Sequence, residues 1–118
     1  MRFSSCPTGN AVITKGYQLP ARYVIHAVGP VWQGGARGES RLLDSAYESS
    51  FARARESGDI RTIAFPAIST GVYRFPREDA ASIALDAMRR NEGAFDQIIA
   101  CLFDDGSAAI YRQLLSAS

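Results

Sequence analysis

The chain predicts an α/β fold with a parallel core, and three observations lead there. Short apolar runs alternate with longer stretches of helical spacing, in the order β-β-α-β-α-β-α. The later part reads as two overlapping βαβ units, which place parallel strands side by side with helices covering them. A turn bearing Ser69, Thr70 and Gly71 joins one apolar run to a helix, where open α/β sheets usually place their ligands.

The elements follow in order. Ala11 to Thr14 and Tyr23 to Val28 are strands, separated by Lys15-Gly16-Tyr17-Gln18-Leu19-Pro20. Gly29-Pro30 ends the second, and Gln33-Gly34-Gly35-Ala36-Arg37-Gly38 is a flexible connector. A helix runs from about Ser40 to Ser57, with Leu42, Leu43, Ala46, Tyr47, Ser50, Phe51 and Ala54 on one face. Gly58 terminates it. Thr62 to Ile68 is a strand, followed by the Ser-Thr-Gly turn. Pro76 opens a helix reaching Asn91, with Glu78 and Asp79 near its positive end. Its apolar stripe is Ile83, Ala84, Ala87 and Met88. Gln97 to Phe103 is the last strand. Asp104-Asp105-Gly106-Ser107 turns into a final helix whose Ile110, Tyr111, Leu114 and Leu115 face the core.

At 118 residues this is a single domain, residues 1–118. A chain of this size buries roughly two-thirds of its unfolded surface, enough for one core. The 13 basic residues nearly balance the 12 acidic ones, so no charge excess points to nucleic acid or a membrane surface. A small anionic ligand needs only a local site and stays compatible. Cys6 and Cys101 are too few for a disulfide framework, and Cys101 reads as a buried core residue. One histidine and two cysteines give no metal-ligand spacing and imply no cofactor. Without a signal peptide or a membrane-length apolar run, the expected compartment is the cytoplasm.

Chemistry concentrates in Phe65-Pro66-Ala67-Ile68-Ser69-Thr70-Gly71-Val72-Tyr73-Arg74-Phe75-Pro76. Ser69 and Thr70 offer hydroxyl donors, and backbone N–H groups of such a turn can hold an anion. Gly71 lets a ligand approach where a Cβ would collide. The same residue types also make ordinary turns.

This segment closely resembles the phosphate- and ribose-binding loop of macro domains, the ADP-ribose-binding family. Its bacterial branch, which removes acetyl or ADP-ribosyl groups, is the nearest in wording. A second block, from Cys6-Pro7-Thr8-Gly9-Asn10-Ala11-Val12-Ile13-Thr14 through Tyr23-Val24-Ile25-His26-Ala27-Val28-Gly29-Pro30-Val31-Trp32, resembles the middle of the same family. The resemblance implies a three-layer α/β sandwich with a mixed sheet of about four strands. It covers the C-terminal two-thirds of such a domain. The family's N-terminal strands, its adenine-recognising Asp and its Asn- and Gly-rich loop have no counterpart before Cys6.

Carried over position by position, the resemblance implies that Ser69, Thr70, Gly71, Val72 and Tyr73 bind the diphosphate, with Tyr73 against the distal ribose. Arg74 replaces a small residue of the family. Two readings stay open, a guanidinium contact to phosphate or a side chain that fills the site. Phe103 and Asp104 fall where the family places its adenine wall, and Phe103 is equally readable as an edge-of-core aromatic. His26, mid-strand among apolar neighbours, is read as structural rather than as a general base. Trp32 is a packing residue at the loop mouth, and the Gly34 to Gly38 stretch a connector. Arg89-Arg90 is a solvated helix end.

The expected function is binding, with weak affinity, of ADP-ribose or a related nucleotide. The family's ester hydrolysis uses a water held by the Asn- and Gly-rich loop, so no catalytic residue is assigned. Two alternatives are an interaction module with a dead site and a hydrolase half completed by a partner. In the family a central strand lies between the counterparts of Thr62–Ile68 and Tyr23–Val28. The two strands are therefore expected either to pair directly or to recruit a second copy, as a homo-oligomer joined through exposed sheet edges.

Overall fold

Four strands and three α-helices occur in the predicted order in the computed structural model. It describes residues 11–15, 23–66, 68–69, 73–101 and 105–116, with backbone alone at 11–15, 23–27, 101 and 105. β1 (Ala11–Lys15) and β2 (Tyr23–Ala27) form an antiparallel ladder, with Ala11 opposite Ala27 and Lys15 opposite Tyr23. β3 (Thr62–Pro66) and β4 (Gln97–Cys101) run parallel, with Thr62 opposite Gln97. Helices α1 (Glu39–Ser57), α2 (Arg77–Asn91) and α3 (Asp105–Ser116) complete the fold. A 3₁₀ turn, Glu92–Ala94, leads from α2 toward β4.

The helix signals act as local chemistry predicts. Gly58 takes a left-handed φ of 78°, and its N–H closes α1 onto the Arg55 carbonyl at 3.2 Å. Pro76 precedes α2 with φ −56°, and its carbonyl accepts the Ala80 N–H at 2.9 Å. Glu78 and Asp79 lie in the first turn of α2, Arg89 and Arg90 in the last. Arg90 does more than face solvent. It reaches Glu48 at 2.9 Å and also pairs with Asp44, tying α2 to α1. Being exposed, each pair contributes at most about 1 kcal/mol.

The core lies between the helices and one face of β3. Ile63 and Phe65 are buried, whereas Thr62, Ala64 and Pro66 are exposed. Phe51 of α1 packs on Phe65 with ring centroids 5.0 Å apart and on Phe95 at 5.6 Å. Tyr47 meets Phe65 at 5.2 Å. Small residues on α2 (Ala80, Ala81, Ala84 and Ala87) are buried with Leu85 and Met88. Leu42 and Ile83 are only half-buried. On α3, Tyr111 is buried, and Ile110 and Leu114 pack against the core. Leu115 is 53% exposed, contrary to the sequence expectation, because it stands in the last turn of α3 at an open groove that Leu85 and Met88 also line.

The largest departure is in the sheet. The four strands form two separate two-stranded sheets. Among the described residues β2 pairs only with β1, and β3 only with β4. Of the two expected outcomes, direct pairing of β3 on β2 does not occur among the described residues. α1 packs against β1 and β2 while seating Tyr47 and Phe51 on β3, so one helix links the pairs without a shared ladder. Ile68, expected at the end of a strand, belongs to a turn.

Candidate functional site

The segments that follow β2 and β3 meet. A Cβ at Gly29 would stand 2.2 Å from Ser69 Oγ and 2.6 Å from Ile68 Cγ2. Gly29 is thus glycine for lack of room, not for backbone freedom. Ser69 is only 8% exposed and holds φ 66°, and its hydroxyl has no hydrogen-bond partner among the described residues. Among the described residues Arg74 is the other non-glycine in the left-handed region, at φ 61°. Such backbone costs about 1–2 kcal/mol per residue and concentrates where geometry serves a ligand.

Two backbone bonds shape the loop. The Phe75 N–H donates to the Ser69 carbonyl at 2.9 Å, closing the loop on itself. The Trp32 N–H donates to the Tyr73 carbonyl at 2.8 Å, tying it to the segment after β2. Phe75 is buried, its ring 4.9 Å from that of Trp32, which confirms Trp32 as a packing residue beside the loop. Tyr73, 40% exposed, and Arg74 stay accessible. Beneath the loop the Tyr47 hydroxyl bonds the Ile68 backbone and Tyr111. Burial, followed by the neighbouring Tyr111, pushes its pKa well above the ordinary phenol value.

On the other side, Glu39 organises the glycine-rich connector. Its side chain turns back from the start of α1. Oε2 accepts the N–H groups of Gln33 at 2.9 Å and Gly35 at 2.8 Å, and Oε1 accepts that of Arg37 at 2.6 Å. Gly34 and Gly35 adopt φ 93° and 92°, the backbone needed to aim these donors inward. The bond from Gln33, followed by the other backbone bonds set against burial, lowers the carboxyl from 4.5 to about 2. Its stabilising effect is therefore complete above about pH 4.5 and is lost as pH falls toward 2.

Of the residues the sequence singled out, Ser69, Tyr73 and Arg74 come together on this loop. Thr70, Gly71, Val72, Phe103 and Asp104 lie outside the described residues. His26 sits within β2 opposite Val12, with its backbone alone described. Among the described residues no cluster of three His, Cys, Asp or Glu side chains could hold a metal. No described helix is long and apolar enough to cross a membrane. Sequence reasoning missed Gly29 and Glu39. The available signal was an acidic residue opening a helix after a glycine-rich stretch.

The macro domain family model matches residues 1–84. The chain belongs to the macro domain family. A macro domain-containing protein of Mesorhizobium japonicum is 50% identical over 117 residues, covering 97% of this chain and 66% of the relative. An O-acetyl-ADP-ribose deacetylase of Klebsiella pneumoniae is 48% identical over 115 residues, covering 95% and 65%. The chain thus spans just under two-thirds of the length of these curated macro domain relatives. Among solved structures, the Oceanobacillus iheyensis macrodomain with ADP superposes with a TM-score of 0.87 at 35% identity, covering 94% of this chain and 59% of that one. The Trypanosoma brucei macrodomain in complex with ADP-ribose gives 0.84 at 37%, covering 96% and 48%. The α/β fold is therefore that of a macro domain, although its described strands are split into two pairs.

Proposed function

We propose that this macro domain binds ADP-ribose or a related ADP-ribose-containing nucleotide through residues 69–74. The observation that carries the reading is the buried Ser69 hydroxyl, without a hydrogen-bond partner among the described residues and held on left-handed backbone in a loop pinned by Trp32 and Phe75. A loop shaped in this way offers polar groups to a ligand at the end of a strand. The family relationship supplies the ligand class, since neighbours at similar TM-scores hold ADP or ADP-ribose.

In this reading Ser69, Thr70, Gly71 and Val72 receive the diphosphate, Tyr73 lies by the distal ribose, and the exposed Arg74 guanidinium adds a phosphate contact. Phe103 and Asp104 take the adenine side. No catalytic residue is assigned, and the expected compartment is the cytoplasm. Calorimetric titration with ADP-ribose tests the proposal. Wild type is expected to bind and Gly71→Val to lose binding while keeping its melting temperature, because a β-branched side chain fills space a phosphate needs. Equal affinity in a folded Gly71→Val variant would remove this loop from the site.

The edges of β2 and β3 that have no neighbour among the described residues support a further part of the proposal, that copies of this chain associate by adding strands there. Sedimentation velocity across rising concentration is expected to show a growing population above monomer mass. A single monomeric boundary throughout would rule this out.

A further inference from the structure

Three backbone bonds to one carboxylate are an unusual investment for a surface connector. Glu39 is only 2% exposed and touches none of residues 69–74 by any described hydrogen bond. Its influence can nevertheless be followed residue by residue. Glu39 fixes the N–H groups of Gln33, Gly35 and Arg37. Gly35 lies under the Trp32 ring, where even a Cβ would come within 3.0 Å of Cη2. Trp32 in turn packs on Phe75 and holds the Tyr73 carbonyl through its N–H. Tyr73 belongs to the loop that begins at Ser69, and Phe75 closes that loop by donating its N–H to the Ser69 carbonyl.

We propose that Glu39 is a positioning residue for the nucleotide loop. Its carboxylate latches the 33–37 connector, the connector seats Trp32, and Trp32 sets the placement of Tyr73 and Phe75. This rests on the reading of residues 69–74 as the nucleotide site. The latch needs acceptors on both oxygens. A glutamine has one acceptor oxygen and one NH₂ group, so whichever way the amide turns, at least one backbone N–H faces another donor.

Trp32 is the chain's one tryptophan, so its fluorescence reads the latch without any ligand. Glu39→Gln is expected to keep the wild-type far-UV circular dichroism. Its Trp32 emission should move to the red, acrylamide quenching should rise, and ADP-ribose affinity should fall about ten-fold, the effect of one lost charged hydrogen bond. Met88→Ala, which loosens α2 away from this loop, serves as a stability-matched control and is expected to leave Trp32 emission unchanged at equal distance below its melting temperature. Wild-type emission and quenching in Glu39→Gln would overturn the proposal. So would the same shift in Met88→Ala, or a shifted Trp32 with unchanged affinity. Should wild type bind no ADP-ribose, the nucleotide reading fails, and the Trp32 signals alone then decide whether Glu39 is a latch.

Discussion

Phe51→Ala is expected to destabilise the fold by about 3–5 kcal/mol, a large part of the roughly 5–15 kcal/mol that holds a domain together. Phe51 is fully buried on α1. Its ring touches Phe65 of β3 and Phe95, which precedes β4, so one side chain ties α1 to the parallel pair. Truncation removes the transfer energy of the ring and leaves a cavity that stiff neighbours cannot collapse into. Two tilted aromatic contacts, each worth about 0.5–1.5 kcal/mol beyond area burial, go with it. Because α1 also packs on β1 and β2, the expected result is cooperative loss of the whole domain. Urea melts followed by circular dichroism check this. A midpoint within error of wild type would show that the aromatic cluster is not the centre of the core.

Gly29→Ala is expected to cost about 1–3 kcal/mol through overpacking, and to weaken nucleotide binding with it. The added methyl cannot stand 2.2 Å from Ser69 Oγ and 2.6 Å from Ile68 Cγ2, so the loop must give way. The Ser69 side reveals the mechanism. Ser69→Ala alone removes a buried hydroxyl without a described partner, and should stabilise the fold by about 1 kcal/mol. In the double variant one of the two clashes is gone, so the Gly29 penalty should shrink by an interaction energy of at least about 0.5 kcal/mol. Additive effects in this double-mutant cycle would mean that the two residues do not press on each other.

These two residues mark where the sequence was legible. The aromatic and alanine spacing of α1 and α2 follows the helical period, so the buried faces could be read directly from residues such as Leu43, Tyr47, Phe51 and Ala84. The loop around Ser69 was legible through its residue types and its family resemblance. Gly29 was not, because it reads as a strand terminator and its constraint comes from a side chain forty residues away in sequence. Glu39 stands between the glycine-rich connector and the expected helix, and its residue type alone gives no sign of which backbone N–H groups it accepts. Its actual bonds depend on two left-handed glycines that no period encodes. The split of the strands into two pairs was equally hidden, since strand patterning identifies faces and says little about which edges meet.

The edges left open among the described strands also bear on what shape an assembly would take if copies join through them. Among the described residues each of the four strands pairs on one side only, so each copy carries four edges, of which those of β2 and β3 differ in sequence and belong to different sheets. If copies join by strand addition, pairing β2 of one molecule with β2 of another gives a two-fold dimer that uses up both edges involved. Joining β2 of one to β3 of the next leaves a fresh edge at each end of the product. That addition is head-to-tail, and unless its rotation closes a ring it grows without limit into filaments. Dimer and fibre would then be rival outcomes of strand addition at these edges, chosen by which edge finds which first.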